Sequence, residues 1–171
     1  KAGRGRLLYY DILDQKSEFR QYYDAIVLFD VLEHIPDTAP FISALLHHLK
    51  PGGLLLINVP ALQALYSVYD KVQGHCRRYS KESLAEEFRN FPLTPLQTTY
   101  WGLANVPIIL ARKLWLALSS EQNPEEIFQH GFKPPGKLLN QALLGIMKLE
   151  MGLIRHPVLG SSVLMTCRNS L

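Results

Sequence analysis

Apolar positions follow two different patterns along this 171-residue chain. In the first half, short unbroken apolar runs alternate with stretches where apolar residues recur every three or four positions. Ala25-Ile26-Val27-Leu28-Phe29 lies between Asp24 and Asp30, and a second run over 54–59 ends at Pro60. Runs this short and continuous predict strands buried on both faces, as in a parallel sheet. Between them, Phe41, Ile42, Leu45, Leu46 and Leu49 share one helical face. Asp37 is placed to cap that helix, Pro40 sits in its first turn, and Lys50-Pro51-Gly52-Gly53 stops it. The unit over 25–59 therefore predicts a right-handed crossover between parallel strands. Residues 7–11 read as a further short strand, and 14–24 as polar, irregular or helical.

Past Pro60 the pattern predicts a helix over about 61–72 and a polar loop carrying Gly74-His75-Cys76-Arg77-Arg78-Tyr79. A helix over 81–90 follows, capped by Ser80, with Leu84 and Phe88 on its apolar face. Ser83 is not the Glu or Gln of a capping box. Residues 94–101 read as a strand. The pattern then changes: 103–118 and 138–154 are two apolar helical stretches, joined by a loop with Asn123-Pro124 and Pro134-Pro135-Gly136. Together they predict a helical insertion over 102–156 within a single domain. After the His156-Pro157 break, 161–167 reads as a closing strand. A membrane span needs ~20 consecutive apolar residues. Arg112 and Lys113 interrupt the first stretch, and Lys148 and Glu150 the second, so neither spans. As an amphipathic pair they suit a pocket cap or peripheral contact with a membrane surface.

Composition narrows the class. Apolar residues at 47% and charged residues at 19% exclude a disordered chain. Two cysteines, Cys76 and Cys167, exclude a disulfide scaffold and suit a reducing, cytoplasmic compartment. The net charge of +3 is too small to argue for nucleic acid, although Lys1, Arg4 and Arg6 make the start locally basic. The chain opens without an initiator Met or a signal peptide, and the expectation is a piece of something longer.

In open α/β sheets, ligands bind beyond the carboxyl ends of the strands. Asp11 and Asp30 both sit at such ends, and Asn58 and Pro60 end the third run. Strand-terminal Asp is also ordinary turn chemistry. His47-His48 reads as a solvated helix end, and no spacing of ligands predicts a metal site.

Two segments carry a family resemblance. Tyr23-Asp24-Ala25-Ile26-Val27-Leu28-Phe29-Asp30-Val31-Leu32-Glu33-His34-Ile35, followed by Leu49-Lys50-Pro51-Gly52-Gly53-Leu54-Leu55-Leu56-Ile57, resembles the class I S-adenosylmethionine-dependent methyltransferases. There the first segment is the fourth strand and its turn, and the second leads into the fifth strand. Gly74-His75, Arg77-Arg78-Tyr79 and Gly160-Ser161-Ser162-Val163-Leu164 resemble segments of one small-molecule and lipid-type subgroup. The resemblance implies an α/β, Rossmann-like methyltransferase sheet, mostly parallel, with an antiparallel final strand. It also implies S-adenosyl-L-methionine as cofactor: Asp11 and Ile12 at the adenine, Phe29 and Asp30 beside the methionine part.

Methyl transfer asks little of side chains, because the sulfonium is already an activated leaving group. The protein aligns the acceptor and excludes water. A general base is needed only if the acceptor must lose a proton. His34 and His75 are the candidates, imidazole being the side chain that ordinarily titrates nearest neutrality. Arg77, Arg78 and Tyr79 are candidates for the substrate. Each has a structural alternative: His34 bonding to backbone, His75 pinning its loop, the arginines in surface ion pairs.

The resemblance leaves two strand–helix units and the family's glycine-rich loop without a counterpart here. The strand at 25–30 is then expected to be an exposed apolar edge, and cofactor binding by this chain alone to be weak. Two readings follow: a methyltransferase acting on a hydrophobic or lipid-like small molecule, or a methyltransferase-like binding protein or fragment without activity.

Overall fold

The computed structural model describes residue 5 and residues 7–118, 136–154 and 157–171. The basic start and the proline-containing loop at 123–135 lie outside these, as does His156. Four strands form one sheet: β1 (Tyr23–Phe29), β2 (Leu49–Pro60), β3 (Leu93–Trp101) and β4 (Ser162–Asn169), in the order β1-β2-β4-β3. β1 and β2 are parallel, and β4 runs antiparallel to both β2 and β3, so three strands point one way and the last returns between them. The parallel pair and the antiparallel final strand are as the sequence predicts.

Helix α1 (Thr38–His48) connects β1 to β2. The Asp37 carboxylate accepts from the Ala39 amide at 3.3 Å, satisfying one of the helix's free N–H groups. Ile42 and Leu45 on α1 pack with Leu55, Ile57 and Val59 of β2, and with Val163, Met165 and Cys167 of β4. Leu84 and Phe88 of α3 (Lys81–Phe88) join the same core. Burial pushes the Cys167 thiol up to about 11, and both cysteines are free.

Four local expectations are corrected. First, residues 7–11 form no strand: Leu7 and Tyr9 are exposed, and a strand without a neighbour leaves its backbone groups to water. The segment is tethered instead by Tyr10, whose hydroxyl donates to His48 Nε2 at 2.9 Å while His48 Nδ1 donates to the Ala44 carbonyl. Second, β1 is not buried on both faces. Leu28 faces the core, but Val27 and Phe29 are 53% and 57% exposed, because nothing among the described residues covers that face of an edge strand. Third, 61–72 is not one helix: a 3-10 turn (Gln63–Leu65) precedes α2 (Val68–Val72), and Leu62 between strand and turn adopts φ +63°. Fourth, Ser80 and Ser83 do form a reciprocal cap, each hydroxyl accepting the other's amide. A serine hydroxyl at the third helical position reaches back as a Glu would.

The second half supplies α4 (Val106–Leu118) and α5 (Lys137–Leu153), both with exposed apolar side chains. Glu150 on α5 accepts from the Leu103 and Ala104 amides at 2.8 and 2.9 Å, tying the two helical segments together. No described helix is long and apolar enough to cross a membrane.

Where β3 and β4 are joined at their ends, Gly160 is buried against the Trp101 backbone, and a Cβ there would overlap the Trp101 carbonyl oxygen. Gly160→Ala is therefore expected to cost ~2 kcal/mol or more and to lower Tm by about 4–8 °C. Gly145→Ala, in open space on α5, is expected to stabilise by ~0.5–1 kcal/mol through helix propensity. Thermal unfolding of both variants checks the pair.

Candidate functional site

The carboxyl end of the sheet is held by a polar chain. Beyond Phe29 the backbone of Asp30 turns through φ +54°, a left-handed conformation that Asp tolerates better than most residues. Its amide donates to the Asn58 carbonyl at 2.9 Å, and its carboxylate accepts from Asn58 Nδ2 at 3.1 Å. Asn58 Oδ1 in turn accepts from Trp101 Nε1 at 2.7 Å. The three strand ends from β1, β2 and β3 are thereby linked. A 3-10 turn (Leu32–His34) follows, with Leu32 and Glu33 fully buried.

The facing wall is the loop after β2. Asp70, on α2, is fully buried and accepts from Arg78 Nε at 2.7 Å and His75 Nδ1 at 3.2 Å. It also caps its own helix, accepting from the Ser67 amide at 2.9 Å. Burial alone would raise this carboxyl. The hydrogen bonds from His75 and Arg78 and the guanidinium charge outweigh that and hold it at about 2. Tyr66 donates to the His75 carbonyl at 2.7 Å, and the Cys76 amide to the Glu33 carbonyl at 2.8 Å. Loop and turn are thus one unit. His34 Nδ1 donates to the Gly74 carbonyl at 3.3 Å, and the His34 and His75 rings meet edge to face, 4.7 Å apart.

Glu33 differs from the rest. Neither carboxylate oxygen has a hydrogen-bond partner among the described residues. Burial pushes the carboxyl up to about 7, and the nearby Asp30 charge adds to the rise. Its own amide dipole, His75 and Arg78 oppose it only in part. Glu33 and His75 line a cavity of about 280 Å³ with Asp30, Tyr69, Arg78 and Arg112. Arg112 stacks on the Tyr69 ring, 3.7 Å from its centroid.

The structure thus brings His34, His75, Asp30 and Arg78 to one place. Arg77 is committed elsewhere, to Glu87 Oε1 at 3.1 Å and the Pro36 carbonyl at 2.6 Å. Tyr79 is in the core, 1% exposed, where its ring packs with Ile42 and Leu84. Phe29 stands exposed on the open face of β1. Asp11 caps its own 3-10 turn through the Leu13 amide at 2.9 Å. Ile12 lines a separate apolar cavity of about 370 Å³ with Leu8, Tyr10, Tyr23 and Ile26, which shares no residue with the Glu33 cavity. Sequence reasoning missed Asp70, Arg112 and Trp101 as site residues. Glu33 was inside the recognised segment but carried no role. An acid a few positions ahead of Gly74-His75 was the available signal for Asp70.

Comparison with known proteins places these elements in a family. The methyltransferase domain family matches residues 8–98, more than half of the chain, and the chain belongs to it. Over 47 residues it is 47% identical to a ubiquinone biosynthesis O-methyltransferase of Xylella fastidiosa, which is 28% of this chain and 19% of that protein. The chain thus matches about a fifth of that relative's length. Its fold is similar to a SAM-dependent methyltransferase from Archaeoglobus fulgidus (TM-score 0.54, 13% identity, 94% of this chain and 66% of that one). It is also similar to the [4+2]-cyclase SpnF (TM-score 0.50, 16% identity, 95% and 54%). At such identities the likeness concerns the fold; the reaction has to be argued from the site.

The unpartnered Glu33 carboxylate gives a signed pH dependence. Its folded pKa lies above the ordinary 4.5, so ionisation disfavours the folded state. This group's contribution is most favourable below about pH 4.5 and is lost as pH rises through about 7, by about 3 kcal/mol in all. Glu33→Gln is expected to be the more stable protein at pH 8 and to lose that advantage by pH 5, as read by denaturant unfolding at both pH values.

Proposed function

We propose that this chain contributes the acceptor side of an S-adenosyl-L-methionine-dependent methyltransferase, transferring methyl by in-line displacement to a hydrophobic or lipid-like small molecule. The observation that carries the reading is the family match over 8–98, whose strand ends converge on the Asp30–Asn58–Trp101 chain and the Glu33 cavity beside it.

In this reading Phe29 and Asp30 lie along the methionine part of the donor, and Asp11 and Ile12 at the adenine. The carboxylate of Asp30, held by Asn58, suits a cationic sulfonium. The donor supplies the activated methyl group, and the protein supplies alignment. His75 has its Nδ1–H committed to Asp70 and His34 its Nδ1–H to Gly74, which leaves Nε2 of each ring as the proton acceptor for an acceptor hydroxyl. Of the three proposed substrate contacts, Arg78 is the one that lines the cavity. Arg77 and Tyr79 serve the reading by holding the loop that presents it. The exposed apolar residues of α4 and α5, such as Leu114, Trp115 and Leu149, favour a hydrophobic acceptor. The ubiquinone biosynthesis O-methyltransferases among its relatives favour oxygen as the atom methylated.

The test is transfer of labelled methyl from S-adenosylmethionine to a hydroxylated aromatic carrying an apolar tail, by the gene product that contains this chain. Asp30→Ala is expected to raise KM for the donor at least tenfold. His75→Ala is expected to lower kcat by ~10²-fold with the donor KM little changed. Donor binding without any turnover over a panel of phenols, amines and carboxylic acids would favour the binding-protein reading instead.

A further inference from the structure

Glu33 is an ionisable side chain with no described hydrogen-bond partner, fully buried beside two imidazoles. One ligand atom each from Glu33, His34 and His75 can be chosen so that all three lie within 4.8 Å of one another. Two bonds of ~2 Å to one metal span at most ~4 Å between ligand atoms, so the three side chains would draw together on the ion. The surroundings match what metal-binding imidazoles require. A ligating histidine usually donates its other N–H to a carboxylate or carbonyl, which fixes the tautomer and aims the free lone pair. Both rings do so here: His75 Nδ1 donates to the Asp70 carboxylate at 3.2 Å, and His34 Nδ1 to the Gly74 carbonyl at 3.3 Å.

We propose that Glu33, His34 and His75 form a binding site for one divalent transition-metal ion. Two imidazoles and one carboxylate suit Zn²⁺, Fe²⁺, Co²⁺ or Mn²⁺ rather than the all-oxygen shells of Ca²⁺ or Mg²⁺. Three protein ligands leave coordination positions open, and Glu33 and His75 open onto the 280 Å³ cavity. The charges facing the site favour a cation. Asp70 and Arg78 neutralise each other, which leaves the Asp30 and Glu33 carboxyls against Arg112, itself stacked on Tyr69. The ion would give the stranded Glu33 carboxylate a partner, which no described side chain does. An imidazole lone pair that holds a metal cannot also take a proton, so a bound ion would replace free imidazole as the group that acidifies an acceptor hydroxyl. The site itself does not depend on the methyl-transfer reading, and its test uses no methyl donor.

The test is titration of the chelator-stripped 171-residue chain with Co²⁺, followed by visible absorption and calorimetry. One equivalent is expected to bind, with d–d bands that Zn²⁺ abolishes by displacement. Glu33→Gln and His75→Ala should each weaken binding at least tenfold. Asp70→Asn should weaken it by about 10–100-fold through its hold on His75. His47→Ala, on α1 and outside the three-residue cluster, should leave it unchanged. Circular dichroism checks each variant's fold, and Glu33→Gln, expected to be stabilised at pH 8, gives a folded comparison even if His75→Ala unfolds. Absence of one-equivalent binding would overturn the proposal. So would binding insensitive to Glu33→Gln, binding lost in His47→Ala, or binding of Mg²⁺ in preference to Co²⁺ and Zn²⁺.

Discussion

One buried carboxylate organises the site. Asp70 holds Arg78 and His75 and closes the N-terminus of its own short helix, and it does all three most strongly while ionised. An ionised group out of water is costly unless hydrogen bonds and opposite charge compensate it. Asp70 has both, from side chains that have few other ways to be satisfied in the same space. Removing it would leave the Arg78 guanidinium, 6% exposed, without its counter-charge, a larger loss than the net worth of the pair. The loop from Gly74 to Tyr79 therefore depends on this residue, and with it the positions of His75 and the wall facing Glu33.

The sheet fixes the other wall by a different means. β2 pairs with β1 on one side and β4 on the other, so its last residues are locked in register, and Asn58 is carried to a fixed point between Asp30 and Trp101. The left-handed turn at Asp30 is held by two hydrogen bonds to that one asparagine. Rigid strand ends on one side and a carboxylate-centred loop on the other enclose a polar cavity, while the apolar chemistry lies on α4 and α5. Structural neighbours of the same fold include a SAM-dependent methyltransferase and a cyclase. What separates such reactions lies in side chains like these rather than in the sheet.

Much of this was legible from residue pattern. The apolar runs ending at Phe29 and Val59, the helix between them and the closing strand all stand where periodicity put them, because each has neighbours that bury it. The failures are of one kind. Residues 7–11 have strand-like composition but no strand beside them, and β1, the exposed apolar edge that the missing units imply, is not buried on both faces as its unbroken apolar run predicts. Local sequence specifies what a segment can be, and a partner decides whether it becomes so. At the candidate site, histidines and arginines are conspicuous in a sequence. Glu33 and Asp70 act through burial and through contacts across as many as eight residues or between separate loops, which periodicity does not report. Tyr79 is a substrate candidate in the sequence because it follows two arginines; its ring lies in the core.

The site depends most directly on the orientation of two imidazoles. Long-range ¹H–¹⁵N spectra of the histidine side chains, recorded at pH 9 on the chain and on Asp70→Asn, read the tautomer of each ring. Both His34 and His75 are expected to carry the proton on Nδ1, with the His75 signal alone redistributed in Asp70→Asn. Protonation of His75 on Nε2 in the unsubstituted chain would contradict the account, because Asp70 would then not be holding the ring as the structure describes.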